Sequence, residues 1–122
     1  MKHDITTDLG KLYGMLESCD TILDLLERID FDEEVFLEDK VYQASAAFCL
    51  QRIGQLAKEL SSETISSYKD KDYWRMIKGS RDIMAHQYHN VSQTMQWNTL
   101  TKDIIPLKEL LLKMISDLES SD

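Results

Sequence analysis

The chain has 122 residues, 14 Lys and Arg against 22 Asp and Glu, and a formal charge of −8. That length suits one domain over residues 1–122, and 4 Gly with 1 Pro exclude a turn-rich β-sandwich or barrel, which needs turn residues about every 8–12 positions. A pI of about 4.8 excludes a generally basic nucleic-acid binder, although not a local basic site.

The N-terminal MKHDITTDLG has no apolar core followed by a small-residue cleavage site, so no secretory signal is expected. No apolar run approaches a membrane span, and a cytoplasmic protein is expected. Cys19 and Cys49 sit in apolar, helix-like stretches without C-x-x-C spacing. That pattern points to buried thiols rather than a zinc or redox motif.

A first helix is expected from about Asp4 to Ile29. Ile5, Leu9, Leu12, Leu16, Cys19, Leu23 and Leu26 alternate spacings of four and three, and Met15, Ile22, Leu25 and Ile29 widen the stripe. Thr6 or Thr7 supplies its cap. Asp30 to Glu34 reads as an acidic connector. A second helix is expected from about Glu38 to Leu60, with Val41, Ala44, Phe48, Ile53, Leu56 and Leu60 facing inward. In that helix Ala46, Ala47 and Gly54 permit close packing. The hydroxyl-rich stretch from Ser61 to Ser67 reads as a loop or short helical turn.

A third helix is expected from about Asp72 to Tyr88, with Trp74, Ile77, Met84 and Ala85 on one side. Val91 to Leu100 reads as a short helix with Ser92 as its cap and Trp97 as an anchor. The last helix is expected from about Thr101 to Leu118, with Pro106 early in it, where a missing N–H costs least. No segment reads as a strand. The expected fold is all-α, an antiparallel bundle of four or five helices.

Charge is unevenly distributed. Residues 69–89 hold five basic and three acidic side chains, a net of +2, against nine and nineteen elsewhere, a net of −10. Within this segment Arg75, Lys78, Asp82, His86 and His89 follow spacings of three and four and would form one polar stripe. Asp82 and His86, four apart, could share a hydrogen bond that fixes the imidazole tautomer and leaves the other nitrogen as a base. Arg81 and His86, five apart, would lie about 140° from each other around a helix. A working pair then needs the helix to end before His86, a substrate that bridges both faces, or a second chain.

Histidine and arginine suit cleavage of an RNA phosphodiester. Histidine can take a proton from a ribose hydroxyl near neutral pH, and arginine can stabilise the extra charge of the phosphorane. That route requires neither a metal nor another cofactor. The bland alternatives are an ion pair for Arg81, a helix-end interaction for His86 and simple aromatic packing for Tyr88. A metal site at Asp82, His86 and His89 is disfavoured, because structural zinc wants four ligands and no thiolate is near.

The stretch Arg81-Asp82-Ile83-Met84-Ala85-His86-Gln87-Tyr88 resembles the R-x-x-x-x-H-x-Y signature of the HepT-like toxins, a branch of the HEPN superfamily. Similar elements extend over most of the chain: Ile53 to Lys58, Tyr73-Trp74-Arg75-Met76-Ile77-Lys78-Gly79, and Trp97 before the last helix. Two positions differ from the common pattern. Asp82 stands where Asn is frequent, and Gly54-Gln55-Leu56 stands where G-E-A is frequent.

The resemblance implies a helical bundle that forms a homodimer. It implies a metal-independent endoribonuclease acting on RNA, with Arg81 and His86 as catalytic residues and Tyr88 in support, while the supporting role of Asp82 rests on its spacing from His86. It further implies the toxin of a type VII toxin–antitoxin pair, silenced when an MNT-type nucleotidyltransferase antitoxin transfers AMP to Tyr88. The alternative is a non-catalytic HEPN module that binds a nucleotidyltransferase or a nucleotide.

Overall fold

The Thr7 hydroxyl accepts a hydrogen bond from the Gly10 N–H at 3.0 Å and starts helix α1, Asp8–Arg28. The computed structural model describes Asp4 and residues 6–120, so Ile5, expected in the first apolar stripe, lies outside the described residues. The rest of that stripe behaves as expected. Leu12, Cys19 and Leu26 are buried, Leu9, Leu16 and Leu23 are half-buried, and Met15, Ile22 and Leu25 complete the inward face. Burial pushes the Cys19 thiol up to about 12 and raises that of Cys49 too, which keeps both protonated and inert at neutral pH.

α1 ends with two crossed backbone bonds. The Asp30 N–H donates to the Glu27 carbonyl (3.0 Å), and the Phe31 N–H donates to the Leu26 carbonyl (2.8 Å). Asp30 and Phe31 take left-handed backbone angles, φ 53° and 54°, at a place where glycine is usual. The acidic connector is only partly a connector. Asp32 caps a short helix α2, Glu33–Glu38, whose first-turn acids complement the helix dipole. α2 buries Phe36 against Trp97, with ring centroids 5.4 Å apart.

Asp39 caps α3, Lys40–Lys58. The inward face expected for this helix is corrected in its first half. Ile53, Leu56 and Leu60 are buried, but Val41, Ala44 and Phe48 face out, with Val41 73% and Phe48 68% exposed. The true inward row is Ala46, Leu50, Ile53 and Ala57. α3 carries two apolar stripes on opposite sides, and periodicity alone joins them. Buried Gln43 donates to the Phe36 carbonyl (2.9 Å), and buried Gln96 donates to the Gln43 carbonyl (3.1 Å).

Ser61 caps the short α4, Ser62–Ser66, and Asp70 caps α5, Lys71–His86. Asp8 accepts from the Ser61 N–H (3.1 Å), the Ser61 hydroxyl (2.6 Å) and the Thr64 hydroxyl (2.6 Å), which ties α4 to the start of α1. Trp74, 1% exposed, donates its indole N–H to the Ile65 carbonyl (2.9 Å) and ties α5 to α4. Ile77 is buried and Met84 is half-buried as expected. Ala85, expected on the same side, is exposed. α6, Gln93–Lys102, is capped by Ser92, and α7, Ile104–Ser120, holds Pro106 in its first turn.

Five helices of ten or more residues thus form the bundle, with α1 packed against both α3 and α7, and α5 packed against α3. No strand occurs among the described residues, and no helix there is long and apolar enough to cross a membrane.

The tightest approach joins α3 to α5. A Cβ on Gly54 would lie 2.7 Å from both the Cβ and the backbone nitrogen of Arg81, and 2.9 Å from the Ile77 carbonyl oxygen. Backbone cannot yield as a flexible side-chain tip can. Gly54→Ala therefore pushes α5 away from α3. Overpacking costs about 1–3 kcal/mol, against a gain of about 1 kcal/mol in helix propensity. A lowered urea midpoint is expected, and an unchanged or raised midpoint would show that the contact is not tight. Conversely, Asp30→Gly relieves a left-handed residue and should stabilise the fold by about 1 kcal/mol in the same measurement.

Candidate functional site

Helix α5 presents different side chains to three surroundings. Trp74 and Ile77 face the core, and Arg81 continues their side toward α3. Lys71, Arg75, Lys78, Asp82 and His86 recur at spacings of four, three, four and four, forming one outward stripe. The expected stripe holds as far as His86, the last residue of the helix.

Beyond His86 the chain changes course. Gln87 leaves helical geometry at φ −131°, ψ 17°, and its N–H closes on the Ile83 carbonyl at 2.8 Å. Tyr88–Asn90 then form a 3₁₀ turn. His89 therefore does not extend the stripe, and the face shared by Arg81 and Tyr88 in a continuous helix is not formed. Tyr88 is half-buried on the turn, and its hydroxyl makes no hydrogen bond among the described residues.

Arg81 lies with its stem on Gly54 and its side chain 31% exposed. Its Nη1 donates to Asp82 Oδ1 at 3.0 Å, and Lys58 Nζ stands 3.7 Å from the same oxygen. The expected Asp82–His86 hydrogen bond is absent, because two cations already compete for the Asp82 carboxylate. The Arg81 hydrogen bond first, then the charge of Lys58, holds that carboxyl below the usual carboxylate range. The group stays ionised at neutral pH and contributes its ion pair there. The pairing is lost only as pH falls through this lowered value. Asp82 thus orients Arg81 rather than His86.

His86 is exposed and has no hydrogen-bond partner among the described residues. Since it is the last helical residue, the alternative in which the helix ends before it is removed. Arg81 and His86 stand about 140° apart around one axis and about 7.5 Å apart along it. Asp82, His86 and His89 do not converge, and no three metal-ligating side chains do so among the described residues.

Arg81 also borders a shallow groove with Phe48, Gln51 and Gln55 of α3. Arg52, at the same groove, is engaged elsewhere. Its Nη1 donates to the Gly14 carbonyl (3.0 Å), to Glu17 (3.0 Å) and to the Ser18 hydroxyl (3.1 Å). Lys58 was not singled out in the sequence. It lies one helical turn after Gly54, so once Gly54 faces Arg81, position 58 faces Asp82.

Comparison with known proteins shows the family. Residues 15–114 match the model of the family described as Ribonuclease HepT-like. A protein of Methanocaldococcus jannaschii named as a candidate RNase is 28% identical over 91% of this chain and 89% of its own. A second candidate RNase from that organism is 30% identical over 91% of this chain and 89% of its own. One from Caldanaerobacter subterraneus subsp. tengcongensis is 30% identical over 84% of this chain and 92% of its own. No solved structure gives a significant match. With residues 15–114 matched, this protein belongs to the HepT-like ribonuclease family.

Proposed function

We propose that the protein is a metal-independent endoribonuclease in which Arg81 and His86 act on one phosphodiester. The observation that carries this reading is the state of the two side chains. His86 is exposed and unpartnered at the end of α5, while Arg81 is held by Asp82 and Gly54 with part of its guanidinium open to solvent. Membership in the family supports the RNA substrate.

In the proposed reaction His86 takes the proton of a ribose 2′-hydroxyl. The oxygen forms a bond to phosphorus, Arg81 stabilises the charge on the phosphorane oxygens, and the bond to the 5′ oxygen breaks as that oxygen takes up a proton. The protein works in the cytoplasm as the toxin of a pair whose antitoxin is an MNT-type nucleotidyltransferase. Transfer of AMP from ATP to the Tyr88 hydroxyl, with release of pyrophosphate, would place a bulky anion beside the site and repel RNA.

The working unit is a homodimer. The separation of Arg81 from His86 asks for a second copy. The exposed Val41 and Phe48 stripe, which runs into the Arg81 groove, offers that copy an apolar face. Light scattering should give a particle of about twice the 14.2 kDa chain mass. A monomer at working concentration would contradict the shared site.

The reading is tested by incubating single-stranded RNA with purified protein in EDTA, with intact mass recorded in parallel. Unmodified protein should cleave, and His86→Ala should lose about 10²–10⁴-fold in rate. Arg81→Ala should lose about 10²–10³-fold. With antitoxin and ATP, the mass should rise by AMP at Tyr88 as cleavage stops. Intact RNA with unmodified protein would leave a non-catalytic module that binds the nucleotidyltransferase.

A further inference from the structure

A second groove lies between α4 and the first half of α5, on the outward side of the motif helix. Lys69, Lys71, Arg75 and Lys78 line it, and Gly79 forms part of its floor. Two acids also line it, and both are occupied. Asp70 accepts from the Tyr73 N–H at 2.9 Å as the cap of α5, and Asp82 is held by Arg81 and Lys58. Of the four cations, Lys71 and Lys78 have no partner among the described residues. Arg75 meets only exposed Asp72 at 3.1 Å, and Lys69 lies 5.4 Å above the Tyr73 ring. A pair that exposed is worth little and exchanges readily for another anion. In a chain of charge −8 this groove gathers four cations around a lining that also includes Ile65 and the edge of Trp74.

Gly79 is a second, independent observation. Glycine is among the poorest residues for a helix interior. At Gly54 the packing demands it. At Gly79 a Cβ would meet nothing within 4 Å among the described residues, so no contact inside the fold accounts for it. An absent side chain on the floor of a cationic groove leaves room for a backbone from outside. Lys71, Arg75 and Lys78 are on the same stripe as His86, about 22 Å of helix in all, so a strand lying in the groove is led to the histidine.

We propose that this groove holds the sugar–phosphate backbone of single-stranded RNA flanking the bond to be cut, with Lys71, Arg75 and Lys78 on its phosphates and Gly79 as the point of closest approach. The proposal rests on the ribonuclease reading and names where that substrate lies. The core-facing Trp74 offers no ring for bases to stack on, so the groove reads charge and shape rather than base identity.

The test measures binding of a fluorescein-labelled 20-nucleotide single-stranded RNA by anisotropy across a salt series. All proteins carry His86→Ala, so that the RNA survives. Replacing Lys71, Arg75 and Lys78 together by Ala should weaken binding at least about tenfold and reduce the salt slope by about 2, as expected for three lost phosphate contacts. Replacing Lys40, Lys102 and Lys113 by Ala removes the same charge from positions that do not line the groove and should change binding about twofold or less. Gly79→Gln should weaken binding about tenfold while the thermal midpoint holds or rises, since glutamine is the better helix former. Groove variants that bind like their parent, while the protein with His86 intact still cleaves, would overturn the groove and leave the ribonuclease reading standing. They would also point to an acidic protein partner as the occupant. Equal loss in both lysine sets would overturn the groove too, by making the effect one of total charge. A parent that neither binds nor cleaves RNA would overturn both readings.

Discussion

The approach of Gly54 to the backbone of Arg81 is the constraint on which the site depends. It brings α3 and α5 closer than any side chain between them would allow. Arg81 is therefore not a loose surface residue. Its Cβ and nitrogen rest on α3, its guanidinium reaches Asp82, and Lys58 from α3 meets the same carboxylate. Packing and charge together set the direction of the arginine. That direction is along the α3 side to Asp82, one helical turn before His86 on the outer stripe. One contact thus supplies a positioned cation whose backbone stands about 140° around the helix from His86.

The helix that results divides its labour by angle. Its inner side anchors through Trp74 and Ile77, its α3 side holds Arg81, and its outer side carries cations ending in His86. The overall acidity does not conflict with an RNA substrate. Most of the negative charge lies outside residues 69–89, which carry a net positive charge. The lowered ionisation of Asp82 fits this arrangement. As a carboxylate it orients Arg81, and with two cations around it, its own charge is largely offset where a phosphate would lie.

Much of this was legible in the sequence. The all-α fold, the inward face of α1, the caps at Thr7 and Ser92 and the close packing at Gly54 follow from spacing and residue type. What was not legible has specific causes. α3 bears apolar residues on two sides, so Val41, Ala44 and Phe48 were read inward although they face out. α2 buries one large side chain, Phe36, in six residues, too few for a period to show within an acidic run. The break after His86 is made by Gln87, with neither Gly nor Pro to mark it, so Tyr88 and His89 seemed to continue the helix. The pairing of Asp82 with Arg81 and Lys58 depends on the α3–α5 register, which local spacing does not contain.

The central claim is that Arg81 and His86, held apart on one helix, meet across two copies of the chain. Mixing Arg81→Ala protein with His86→Ala protein tests it directly, with RNA cleavage as the readout. In a shared site, half of the re-paired dimers are mixed, and each mixed dimer regains one intact site of two. The account therefore predicts recovery of about a quarter of the unmutated rate. No recovery, with mixed dimers shown to form, would place both residues in a site made by one chain and contradict it.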